Sequence, residues 1–245
     1  MTQIKSNSAK IFIGAMLVAG VAVLSRSLML AWGAGHHAWV LYLAVLAVAA
    51  SRLRVTLPGV NGSMSMNLPF ILLAMSRLSF PEAVLIAGLS TFAQSLPRKG
   101  GRLNPIHTSF NMSNIMFAVA VGFWASHAGV LGHSKMWDVS FVPVVACLTY
   151  FVMQTLPVAG VISLTESKNA VKVWREIAVL SFPYFVLSAG IGAVGVTALH
   201  HLNWSVPAVA LGIMYFIYRS YARYFREMVV AGPVQRPFAA AAGAR

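Results

Sequence analysis

The sequence predicts an all-α, polytopic transmembrane helix bundle of about eight membrane segments, with both termini on the cytoplasmic side. Two observations carry this. Of 245 residues, 58% are hydrophobic and 9% charged, whereas a soluble domain carries about 25% charged residues. A chain this apolar cannot cover itself with polar surface, so lipid must serve as its solvent. The second observation is where the charges lie. All of the 18 Lys and Arg residues except Arg26, Arg77 and Lys135 fall on one side of an alternating series of apolar segments, as the positive-inside rule requires of a cytoplasmic face. The same distribution argues that the net charge of +13 does not serve a nucleic-acid partner, since there is no separate basic domain.

A spanning helix needs roughly 20 mostly apolar residues. Segment one runs from Ile11 to Trp32, interrupted by Ser25, Arg26 and Ser27. Lys5 and Lys10 precede it, but no small-x-small cleavage pattern abuts its apolar run, so it reads as a retained span rather than a signal peptide. Segment two is Trp39–Ala50, followed by Arg52 and Arg54. Arg54–Ser63 reads as a tight turn, because Pro58-Gly59 and Asn61-Gly62 are both turn dipeptides. Segments three (Asn67–Phe80) and four (Glu82–Leu96) precede Arg98, Lys99 and Arg102. Each reaches only about 21–23 Å at 1.5 Å per residue, against a hydrocarbon core of about 30 Å. They form either two short tilted crossings, the favoured reading, or one re-entrant hairpin over residues 67–96 that leaves six full spans. The orientation is the same in both cases.

Segment five is Phe110–Ser126, six is Phe141–Leu164, seven is Ile177–Leu199 and eight is Val206–Tyr218. Between six and seven, Thr165–Arg175 is either a helix lying on the inner lipid surface or a solvated loop plus the first turn of segment seven. Segment eight is expected to continue as a helix past the membrane. Residues 1–10 form a cytoplasmic N-terminus, 11–227 the membrane bundle and 228–245 a disordered tail without apolar period.

Catalytic motifs are absent. There is no HExxH, P-loop or nucleophile elbow, and the five acids Glu82, Asp138, Glu166, Glu176 and Glu227 are predicted at segment ends or in loops. The protein is therefore not read as an enzyme, and no cofactor or metal is expected. Polar groups inside the membrane are where function is sought. Arg26 is either an anionic-ligand or ion-pair site, with Glu82 or Asp138 as partner, or snorkels to the outer interface. Asn111 and Asn114 are three apart and share a helix face. With Asn67, Gln94, Tyr150, Gln154 and Thr155 they either line a small-molecule pocket or hydrogen-bond between helices. His36, His37, His127, His133, His200 and His201 fall in outer loops and His107 inside, which raises a pH or divalent-metal response; the adjacent pairs lack a helical ligand spacing. Arg219, Arg223 and Arg226 share one face of the terminal helix at i, i+4, i+7.

The order of several short motifs carries a resemblance. RVTLPG opens at Arg54, SMSMNLPF at Ser63 and SFPEA at Ser79. Phe110 and Asn111 begin segment five, and YFVMQT spans Tyr150–Thr155. Val173, Trp174, Arg175 and Glu176 precede segment seven, and YRSYARY closes at Tyr224. Over roughly Trp39 to Glu227 the chain resembles the multi-helix membrane input domain at the N-terminus of bacterial signalling proteins that end in GGDEF or HD-GYP enzymes. The resemblance implies a sensory or anchoring domain of the bacterial inner membrane whose last helix passes a signal into the cytoplasm. It implies no ligand. No output segment is present in this sequence, so the expectation is a stand-alone sensor acting through a separate cytoplasmic protein, with the Arg219–Arg226 face as the contact. The candidate partners are the lipid bilayer, that output protein and a second copy of the chain, with no nucleic acid. The alternative is a small-solute transporter or its substrate-binding membrane subunit, since discontinuous helices mark transport sites; a lipid-modifying enzyme ranks last.

The topology is directly testable. A reporter fused after Glu227 should report from the cytoplasm and one inserted near His133 from the opposite side; a periplasmic signal at Glu227 would overturn the eight-segment reading.

Overall fold

The computed structural model describes residues 7–30, 37–56, 63–97, 103–128, 142–202 and 205–230. The helices are α1 (Asn7–Met29), α2 (His37–Ser51), α3 (Leu68–Arg77), α4 (Phe80–Ser95), α5 (Pro105–His127), α6 (Val142–Glu166), α7 (Ala170–Leu202) and α8 (Ser205–Val230). All eight predicted segments are therefore helical. Three helices, within α1, α6 and α7, are long and apolar enough to cross a bilayer, and they carry outward rows of large apolar side chains such as Ile11, Val18, Leu148 and Val194. The chain is a membrane-associated, all-α protein.

Segment three differs from expectation in length. α3 has 10 residues, about 15 Å of helix, and by itself reaches half of a hydrocarbon core of about 30 Å. It also lies at the centre of the bundle. Leu68 through Met75 are buried, enclosed by α2, α4, α5, α6 and α7. A helix apolar on all sides is stable only when fully surrounded, and α3 meets that condition with protein rather than lipid.

The turn before α3 is more ordered than its dipeptides suggest. Arg54–Thr56 (β1) and Ser63–Ser65 (β2) pair antiparallel, with Val55 opposite Met64. Val55 and Met64 are buried together, so an apolar pair pins the register. The Pro58-Gly59 and Asn61-Gly62 dipeptides lie outside the described residues. Arg52 and Arg54 turn back to donate to the last carbonyls of α4, Arg52 Nη1 to Ala93 at 2.8 Å and Arg54 Nη2 to Leu96 at 3.4 Å. Cations there complement the negative end of the helix dipole.

The stretch between α6 and α7 is a short connection followed by the first turns of α7, the second of the two readings. Only residues 167–169 separate the two elements, with Ser167 at φ 53°. The Asn169 side chain accepts from the backbone N–H groups of Val171 and Lys172 at 3.0 and 3.1 Å, which caps α7 from its first turn. Val173 and Trp174 thus belong to α7 and face the core. Segment eight continues to Val230 as one helix, as expected. The tail 231–245 lies outside the described residues.

Helices α1 and α5 approach closely at one point. A Cβ on Gly20 would sit 2.7 Å from the Ser113 Cα and nearer still to its side chain, so only glycine fits. At Gly14 the same atom would meet nothing within 4 Å. Gly20→Ala should therefore destabilise the detergent-solubilised protein by about 1–3 kcal/mol, while Gly14→Ala should leave the melting temperature unchanged or raised. Equal behaviour of the two variants would show that α1 does not pack on α5 through this contact.

Candidate functional site

The junction of β2 and α3 is the polar centre of the structure. Pro69 in the first turn of α3 suits a helix start, where a missing N–H costs nothing. The chain before it is extended, and its polar groups are held by side chains. Asn67 is 4% exposed. Its Oδ1 accepts from Ser65 Oγ at 2.7 Å, and its Nδ2 donates to Ser90 Oγ at 3.0 Å. Ser65 Oγ also lies 3.0 Å from the Gln94 side-chain amide. Asn67 Oδ1 and Gln94 Oε1 thus both face the one Ser65 hydroxyl proton. The Leu68 N–H donates to the Tyr184 hydroxyl at 3.1 Å, which ties α3 to α7.

A second set of bonds joins α5, α6 and α7. Pro157 lies inside α6; it supplies no N–H and loosens the preceding turn. In that turn the Gln154 carbonyl accepts from Asn114 Nδ2 at 3.0 Å, so a side chain of α5 braces the break. One residue on, Thr155 Oγ1 donates to the Phe151 carbonyl at 2.6 Å and accepts from Trp174 Nε1 at 3.1 Å. Pro183 interrupts α7 at the same level as Ser181 and Tyr184.

These groups enclose a cavity of about 140 Å³. Its polar lining comprises Ser63, Ser65, Asn67, Thr91, Gln94, His107, Asn111, Asn114, Tyr150, Gln154, Thr155, Ser181 and Tyr184. Met64, Leu68, Ile115, Val158, Ile177 and Phe185 supply the apolar wall. Among the described residues, no Asp, Glu, Lys or Arg lines it. His107, whose Nδ1 is 3.4 Å from Asn111 Nδ2, is held below its ordinary value by partial desolvation. Asn114 is 2% exposed, and its Oδ1 is buried with no hydrogen-bond partner.

The structure brings Asn67, Gln94, Asn111, Asn114 and Gln154 to one cavity, together with Tyr150 and Thr155. Arg26 is not among them. It is exposed in the last turn of α1 and does not pair with Glu82. That carboxylate is 1% exposed, buried rather than at a solvated segment end. Its Oε2 accepts from the Ser79 N–H and Oγ at 2.8 and 2.7 Å, a capping box for α4. Asp138, the other partner considered, lies outside the described residues. Of the histidine side chains, only those of His107 and His127 are described. Arg219, Arg223 and Arg226 are exposed along α8, remote in sequence from the cavity-lining elements, while Met214 and Phe225 on the same helix are buried.

Sequence reasoning missed Ser65, Ser90, Ser181 and Tyr184. The first carried a signal. Ser63, Ser65 and Asn67 alternate with Met64 and Met66, a period of two that marks a strand with one polar face. Comparison with family models, with curated proteins and with solved structures finds no match to this chain.

The two asparagines of α5 now separate. Asn114→Leu removes the donor to the Gln154 carbonyl and should cost about 1–3 kcal/mol. Asn111→Ala, at the rim, should change stability by less than about 0.5 kcal/mol. Thermal unfolding of the two purified variants checks this, and equal losses would contradict the assigned geometry.

Proposed function

We propose that the chain is a multi-pass sensory or anchoring protein of the bacterial inner membrane, with both termini cytoplasmic. It binds a small molecule in the amide-lined cavity and passes occupancy to a separate cytoplasmic protein through α8. The observation that carries this reading is the convergence of five side-chain amides from four parts of the chain on one cavity whose described lining has no Asp, Glu, Lys or Arg. Concave sites with a few convergent polar groups are the usual form of a small-molecule site.

Two further features support it. The hairpin lies between the cavity and α8: Ser63, Met64 and Ser65 of β2 line the cavity, and β1 packs on α8. A ligand that shifts β2 would thereby reach the helix that bears Arg219, Arg223 and Arg226. Binding without passage is supported by α3, where Phe70 through Met75 are fully buried and pack the bundle on one side of the cavity. In this topology the basic clusters beside β1 and after α6 face the cytoplasm.

Native mass spectrometry of the full chain, released gently from its own membrane, tests the reading. Wild-type protein should carry a small molecule and a cytoplasmic protein. Val158→Phe, which fills the cavity, should lose the first. The combination Arg219→Glu, Arg223→Glu and Arg226→Glu should lose the second and keep the first. Cavity-dependent solute uptake into proteoliposomes would instead establish a transporter.

A further inference from the structure

We infer that the cavity takes a small uncharged ring carrying an N–H and a C=O side by side, a lactam-type edge. The inference rests on the binding reading above and names its ligand class.

Charge sets the first limit. Among the described residues, no Asp, Glu, Lys or Arg lines the cavity. A carboxylate, phosphate or ammonium entering it would be buried without a counter-charge, at a cost far above that of a neutral group. The ligand is therefore neutral.

Hydrogen-bonding capacity sets the second. Asn114 spends its Nδ2 on the Gln154 carbonyl and leaves Oδ1 buried and unpartnered. That atom can only accept, so the ligand must present an N–H or O–H. Tyr150 and the side-chain amide of Gln154 line the same cavity, and neither has a hydrogen-bond partner among the described residues. The Tyr150 hydroxyl offers a proton to a ligand carbonyl. A primary amide such as that of Gln154 is complementary to a lactam edge, since each offers one donor and one acceptor.

Size and wall set the third limit. A cavity of about 140 Å³ is close to the engineered one of about 150 Å³ that holds benzene. One ring fills a space of that volume. Ile115, Val158 and Phe185 supply apolar surface for the ring body.

The test uses the full chain in nanodiscs, titrated calorimetrically with δ-valerolactam, N-methyl-δ-valerolactam, benzoate and benzylamine. Valerolactam should bind saturably, and the N-methyl derivative, which lacks the N–H, about tenfold more weakly or worse. Tyr150→Phe should weaken valerolactam by about tenfold while the unliganded melting temperature stays within a few degrees of wild type. Should that variant fail to fold, Gln154→Leu reads out the same edge and should show the same loss. Equal binding of the N-methyl derivative, binding of benzoate or benzylamine as tight as that of the lactam, or no saturable binding by any probe overturns the inference. Failure of the class and failure of the signalling reading are separable. Lactam binding in a protein whose α8 arginines do not affect partner capture leaves the ligand class standing and removes the signalling role. Tight benzoate binding removes the class and leaves a small-molecule site.

Discussion

Everything in this bundle depends on satisfying the backbone where the β2 strand gives way to α3. An extended segment deep in an apolar bundle cannot turn to water for its N–H and C=O groups, and non-helical backbone at such depth persists only where protein shields it or where it lines a cavity. Here both conditions hold. The Met66 N–H donates to the Leu53 carbonyl and the Leu68 N–H to the Tyr184 hydroxyl of α7, while Ser65, Asn67 and Ser90 bond to one another through their side chains. Each bond contributes only about 1 kcal/mol net, yet a buried group left without its partner costs about 1–3 kcal/mol. The network is therefore a condition for α3 to start where it does.

The position of α3 follows from that start. Once the break is fixed, the short helix lies in the centre, and its all-apolar surface becomes the core against which α2, α4, α5, α6 and α7 pack. The prolines of α6 and α7 act at the same level. A proline inside a helix removes a backbone donor and frees a carbonyl, and both interruptions fall in turns whose side chains reach the cavity. Three weakened stretches of backbone thus surround one space. An empty apolar cavity would cost stability in proportion to its volume; a lined polar one is stabilised by whatever meets its hydrogen bonds.

The charges frame this centre from outside. Arg52 and Arg54 close the C-terminus of α4, and Asn169 and Asn104 cap α7 and α5. Glu82, the one acid within the bundle that is nearly fully buried, also serves as a cap through Ser79. The capping keeps these groups at helix ends, and none of them lines the cavity. A lining without Asp, Glu, Lys or Arg among the described residues is what confines the cavity to uncharged ligands in the proposed role.

The sequence by itself determined the solvent, the helices and the polar candidates. Its composition leaves no option but lipid, its apolar runs locate every helix, and Asn67, Gln94, Asn111, Asn114 and Gln154 are visible as amides out of place in apolar surroundings. These are local properties, and a window of residues reports them faithfully. Only the tertiary structure decided that these amides meet. Leu68 and Tyr184 are 116 positions apart, and Asn114 and Gln154 are 40 apart; no periodicity encodes which helix faces which. Arg26 carried the same local signal as the asparagines, yet it sits in an exposed turn of α1. The shortness of α3 was decided in the same way. A run from Asn67 to Phe80 is apolar throughout, and its helix stops at Arg77 because Ser79 and Glu82 begin the next helix with a cap. Burial, not propensity, gave that short helix its place, since a free helix of this length is marginal in isolation.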